Sequence, residues 1–226
     1  MTEIDILNLI WEVDGVLFDT YPAITYAISK SLKEMGFSIA LNVIDGLVRQ
    51  SLEQCVETLS QRLKLDPKLL RNEFAKSYQT ISPENQPPFT GARKVCAFIH
   101  EHSGLNLIVT HRSIQTTQEL LSAHRLIPFF GDIFSVEQGY PRKPDPAIVL
   151  AVLKKYMLKP EATLLIGDRD CDIRAGQAAG IRTCLFGCTV LSHPPDYRIG
   201  NYIQLLGLLK GAKSDRKTSN YGRDIK

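Results

Sequence analysis

The sequence contains no CxxC pair, no GxGxxG after any apolar run, no HxxxH-type histidine spacing and no repeat at a fixed period. No uninterrupted apolar stretch approaches the roughly 20 residues that span a bilayer. These absences exclude a zinc ribbon, a nicotinamide-binding turn, a histidine-paired metal helix, a solenoid and a membrane span. The cysteines number five, an odd count, so no disulfide framework is expected and a reducing cytosol is the simplest address. The first residues lack a basic segment followed by a long apolar one, so a signal peptide is not expected. With 15 glycines and 12 prolines in 226 residues, collagen-like and low-complexity classes are excluded as well. The net charge of +3 comes from the end of the chain, where Lys213, Arg216, Lys217, Arg223 and Lys226 face Asp215 and Asp224. The rest is neutral, so no nucleic-acid face is indicated.

What is present is ordinary globular composition, 44% apolar and 23% charged, enough for one large core or a core with a modest insertion. Short apolar runs at 6–13, 105–110, 133–136, 163–166 and 183–186 read as buried strands. Helical patterns at 92–102, 114–124, 146–157 and 173–179 fall between or beside them. That alternation predicts an α/β fold, a Rossmann-like doubly wound parallel sheet. From Thr20 to Pro88 the pattern is helical only, at 20–35, 52–63 and 67–78, with Gly36 and Gly46 read as punctuation. The expected organisation is therefore a core of residues 1–19 and 86–212, a small all-helical insertion of residues 20–85, and a flexible basic tail of residues 213–226.

Ligands of open parallel sheets bind beyond the carboxyl ends of the strands. Four polar sets fall on that predicted edge: Glu12, Asp14 and Asp19; Thr110, His111 and Arg112; Lys143 before Pro144-Asp145-Pro146; and Asp168 through Asp172. Glu12, Asp14, Asp168 and Asp172 would crowd negative charge into one crevice, which requires a proton or a cation. Hard oxygen ligands suit Mg²⁺. Lys143 and the Thr110 hydroxyl suit a phosphate, and the backbone N–H groups of His111 and Arg112, just before a helix, suggest an anion cradle. Trp11 is expected in the core. Arg49, at the end of an inserted helix, is read as solvated, with recognition of an anionic substrate tail as the alternative.

VDGVLFDT (13–20), LIVTHR (107–112), RKPDP (142–146) and IGDRDCDI (166–173), in that order, resemble the four motifs of the haloacid dehalogenase superfamily. The helical insertion resembles the cap of its phosphoglycolate-phosphatase-like branch. The resemblance implies an Mg²⁺-dependent phosphatase that works through an acyl-phosphate, under a cap that closes over small substrates. It implies Asp14 as acid/base, the Asp14 main-chain carbonyl and Asp168 as metal ligands, and Thr110 and His111 as phosphate-binding residues. Lys143 would stabilise charge on the phosphoryl group, and Asp172 would support it. A small phosphorylated metabolite is the implied partner, with no nucleic acid or membrane, and a monomer or homodimer as the assembly.

The nucleophile position departs from the family pattern. An aspartate is expected there, and this chain has Glu12, which also falls on the metal side. One methylene moves a carboxylate by roughly 1.5 Å if extended, and a misplacement of about 1 Å can cost on the order of a hundredfold in rate. Three readings stay open: a slow phosphatase, a non-catalytic phosphate-ester-binding or regulatory protein, and a substituted form of an active enzyme. A dehalogenase has no use for Asp168 and Asp172 as metal-binding acids, and no second acid/base candidate in the insertion supports a mutase.

Overall fold

The structure is a computed structural model that describes residues 6–219, with side chains described through residue 210. Two compact units form: Phe18–Pro87, and the remainder of the described chain. The larger unit carries strands β1 (Asn8–Trp11), β2 (Asn106–Thr110), β3 (Phe130–Ser135), β4 (Thr163–Gly167), β5 (Arg182–Phe186) and β6 (Tyr197–Ile199), with helices α5 (Ala92–Glu101) and α6 (Ile114–Ala123) on either side of β2 in the chain. They form one sheet in the order β3-β2-β1-β4-β5-β6, and every pairing is parallel. The chain builds outward from β1 to β3, then returns to the other side of β1 with β4. In open parallel sheets such a reversal marks the edge at which ligands bind, beyond the carboxyl ends of the central strands.

β2 and β4 are buried along their whole length, which is why they read as unbroken apolar runs rather than alternating ones. Ile10, Leu107, Val109 and Leu165 pack with Ile148, Val149, Val152 and Ala175 in one apolar layer. Burying each such side chain contributes about 1.5–3 kcal/mol. Trp11 is fully buried. Its indole Nε1 donates to Asn106 Oδ1 at 3.0 Å, and Asn106 Nδ2 donates to the carbonyls of Cys96 and Phe129 at 2.9 and 3.1 Å. Asn106 thus satisfies three groups in the interior at once. Asn106→Ala is expected to lower stability by about 2–4 kcal/mol, because buried donors and acceptors lose their partner together. Urea unfolding followed by Trp11 fluorescence measures it.

Differences from the sequence-based expectations are local. β3 begins at Phe130, three residues before the expected run, because its first half is a partly exposed edge segment with Gly131 and Asp132. β6 and α9 (Tyr202–Ser219) follow the last expected strand; β6 is three residues long and buries only Ile199 fully. The expected basic tail begins, in the backbone, as the last turns of α9, and its residues 220–226 lie outside the described residues.

The smaller unit consists of α1 (Tyr21–Glu34), α2 (Leu41–Gln50), α3 (Leu52–Leu63) and α4 (Pro67–Gln79). Ile24, Ile28 and Leu32 on α1 meet Ile44 and Val48 of α2, Cys55, Val56 and Leu59 of α3, and Leu70 and Phe74 of α4. These positions recur three and four residues apart, as an amphipathic helix requires. Pro67 opens α4 behind Asp66, whose side chain accepts from Lys68 N–H at 2.9 Å. α2 carries Gly46 inside it, not as a break. Arg49 donates to Asp45 at 2.8 Å and lies 4.7 Å over the Tyr21 ring.

Candidate active site

Glu12 follows β1 directly, and its backbone N–H still donates to Ile166 O of β4 at 3.0 Å. The β1–β4 hydrogen bonding therefore continues through Glu12, which places its carboxylate at the carboxyl edge of the sheet. The side chain is buried, and every oxygen has a partner. Oε1 accepts from the Thr110 hydroxyl at 2.6 Å and from Val13 N–H at 2.8 Å. Oε2 accepts from the Lys143 ammonium.

Lys143 comes from the loop before α7 (Ala147–Lys155), whose start is capped by Asp145 Oδ1 accepting from Ala147 N–H at 2.8 Å. The Lys143 Nζ touches three acceptors: Glu12 Oε2, Asp172 Oδ1 at 2.6 Å and Val109 O at 3.2 Å. Burial alone pulls its pKa down, but Asp172 and Glu12 outweigh that, so it lies above the ordinary lysine value. Burial raises the Asp172 pKa, and Lys143 and Arg169 more than offset it, so this carboxyl stays below its ordinary range. Asp172 is held in place by the start of α8 (Asp170–Ala178), where its Oδ2 accepts from Arg169 N–H at 3.1 Å. Gly167 makes room for it, because a Cβ at 167 would stand 2.2 Å from the Asp172 Cβ.

Asp14 is held by a guanidinium: Arg112 donates to its Oδ1 through Nε at 3.0 Å and Nη2 at 2.8 Å. The Arg112 amide, expected to face an anion, donates instead to Thr110 Oγ1 at 3.1 Å. Asp168 follows β4. Arg169 lies across the acids, with Nη2 3.9 Å from Glu12 Oε2 and Nε 3.8 Å from Asp168 Oδ1 and 3.9 Å from Asp172 Oδ2.

The fold thus gathers Glu12, Thr110, Lys143 and Asp172 into direct contact, and ties Asp14 to Thr110 through Arg112. Three features were not read from the sequence. Arg112 and Arg169 supply counter-charge, and the His111 imidazole accepts from Lys143 N–H through Nε2 at 3.0 Å. A signal for the arginines did exist: four clustered acids need several cations, and these two lie within the LIVTHR and IGDRDCDI segments.

Burial, with Lys143, Arg142 and Arg169 nearby, pushes the His111 pKa down to about 3, so the ring is neutral and free to accept. Between about pH 3 and the ordinary value near 6.5 the unfolded chain binds the extra proton. Stability from this residue therefore falls as pH drops through that window. Acidification from pH 7 to 4.5 is expected to cost the native chain about 2 kcal/mol more than it costs His111→Asn, whose amide oxygen also accepts. Urea midpoints of both forms at the two pH values test this.

The sequence profile of the family described as Haloacid dehalogenase-like hydrolase matches residues 9–186. A phosphoglycolate phosphatase from Photobacterium profundum is 25% identical over 218 residues, covering 88% of this chain and 94% of that one. Another from Aquifex aeolicus is 27% identical, covering 89% and 95%. The crystal structure of the HAD-hydrolase YfnB from Bacillus subtilis, bound to magnesium, superposes with a TM-score of 0.72 at 24% identity, covering 90% of this chain and 98% of that one. That last likeness concerns the fold. The profile match spans all four strand-end clusters and most of the parallel sheet that presents them, and the chain belongs to the haloacid dehalogenase-like hydrolase family.

Proposed function

We propose that this chain is a phosphoric monoester hydrolase that acts, with Mg²⁺, on small phosphate esters of the phosphoglycolate or sugar-phosphate kind. The observation that carries this reading is the convergence of Glu12, Thr110 and Lys143 at the carboxyl edge of the sheet, with Asp14 two residues from Glu12. The likeness to phosphoglycolate phosphatases over 88% and 89% of this chain supports the substrate class.

In this reading Thr110 and Lys143 grip the phosphoryl oxygens, and Asp172 keeps the ammonium aimed at them. A Glu12 oxygen attacks phosphorus and the ester P–O bond breaks; Asp14, parted from Arg112 and protonated from solvent, gives that proton to the leaving oxygen. Asp14 then takes a proton from water, the water oxygen attacks phosphorus, and phosphate leaves as the Glu12 carboxylate is restored. The donor set fits Mg²⁺ chemically: Glu12, Asp168 and the Asp14 main-chain carbonyl are all hard oxygen donors. The position of the Arg169 guanidinium, within 4 Å of Glu12 and Asp168, indicates a place that calls for positive charge. When bound there, the ion would neutralise charge on the transferring phosphoryl group. The helical unit 18–87 would serve as a cap that selects the ester.

A second reading, a phosphate-ester binder without turnover, is favoured by the Glu12 carboxylate being already engaged by Thr110, Val13 and Lys143. A phosphate-release screen over small esters with Mg²⁺, run on the native chain and on Glu12→Asp, separates the two. Release by the native chain supports hydrolysis. Release by Glu12→Asp alone supports the binder, and release by neither overturns the hydrolase reading.

A further inference from the structure

We propose that Glu12 is an internal oxyanion that occupies the phosphoryl cradle of its own chain, so that a phosphate ester enters only by displacing it. The proposal rests on the phosphate-ester reading above and adds a resting state to that site.

The Thr110 hydroxyl has one proton, and it goes to Glu12 Oε1 at 2.6 Å. The Lys143 ammonium has three protons, and it has three acceptors: Glu12 Oε2, Asp172 Oδ1 and Val109 O. The two side chains that would hold a phosphoryl group therefore have no proton left to offer while Glu12 stays in place. Val109 O is backbone and Asp172 is fixed by the Arg169 N–H, so Glu12, equally buried but with one more rotatable bond than an aspartate, is the partner that yields. It sits at the end of a flexible side chain, and its longer reach is what lets it fold onto both donors. A phosphate group beside the carboxylate that pairs with Lys143 would also crowd two oxyanions onto one ammonium, which opposes binding in a site shielded from water. Displacement relieves both costs, because the incoming oxyanion takes the hydroxyl and the ammonium that Glu12 gives up.

The cradle is thus protected against weak anions and opens to ligands that bring further contacts. Glu12→Gln removes the charge, and its amide nitrogen cannot accept from Lys143. The ammonium keeps Asp172 as its counter-ion, so no buried charge is left alone. Glu12→Asp keeps the charge and withdraws it from the two donors.

The test is isothermal titration of inorganic phosphate into the native chain, Glu12→Gln and Glu12→Asp, with EDTA present so that neither turnover nor a metal contributes. Glu12→Gln is expected to bind phosphate at least tenfold more tightly than the native chain, with Glu12→Asp between them. Adding Lys143→Met to Glu12→Gln is expected to abolish the gain. Equal affinity of the native and Glu12→Gln chains, both folded by circular dichroism, overturns the proposal, and so does absence of phosphate binding in every form. Should Glu12→Gln fail to fold, the comparison with Glu12→Asp decides in the same way. Ester hydrolysis is scored separately. Tighter phosphate binding without any hydrolysis leaves this proposal standing and removes the hydrolase reading, and hydrolysis without tighter binding does the reverse.

Discussion

Lys143→Met is expected to destabilise the folded chain by about 3–5 kcal/mol at pH 7, the usual cost of removing one partner from a buried ion pair. The cost does not come from the lost attraction alone. The Glu12 and Asp172 side chains are each no more than 1% exposed, and without the ammonium both carboxylates remain in the interior, with the Arg169 guanidinium at 3.9 Å as the remaining side-chain cation within 4 Å of both among the described residues. Without Lys143, Asp172 lowers its cost by taking up a proton, so its pKa rises in the variant. The native pairing has the opposite sign: it holds Asp172 ionised, and its contribution is lost as pH falls through the depressed folded value. The stability gap between native and variant chains should therefore be wider at pH 8 than at pH 5. Adding Asp172→Asn to Lys143→Met should recover part of the loss, because one of the two orphaned charges is gone. Guanidinium unfolding at both pH values measures all three forms. A gap that does not depend on pH would mean that packing, not charge, sets the cost.

Glu12→Asp is expected to raise the rate of phosphate release on the order of a hundredfold over the native chain, in the presence of Mg²⁺. The side chain shortens by one methylene, roughly 1.5 Å when extended, and an error of about 1 Å at a reacting atom is worth that much in rate. Two effects add in the same direction. The carboxylate withdraws from the Thr110 hydroxyl and the Lys143 ammonium, which become available to the phosphoryl group, and its own oxygens are released to react. The gain should appear mainly in kcat, because it concerns the reacting geometry, with a smaller fall in KM from the opened cradle. A rate unchanged from the native chain would show that residue 12 does not limit turnover.

How much of this was legible in the amino-acid order can be judged element by element. The central strands were, because β2 and β4 are buried on both faces and so must be continuously apolar. β3 was misplaced, since an edge strand needs no apolar run and its opening residues are Phe130, Gly131 and Asp132. α2 was missed because Ala40 gives it no capping side chain, only Ile44 and Val48 are buried, and Gly46 looks like a stop. At the site, the residues beyond each strand end were legible by position alone. Their partners were not: Arg112 was read for its amide, and only the folded chain turns its guanidinium onto Asp14.

By itself the sequence determined the parallel sheet, the helical insertion and the crowd of acids at one sheet edge, because apolar period, turn residues and motif order are written along the chain. Tertiary structure alone decided which charge meets which. Glu12 and Lys143 lie 131 positions apart, and Asp14 and Arg112 lie 98 apart. Pairing at such separations depends on strand order and on the last rotamer of each side chain, and neither has a local signature.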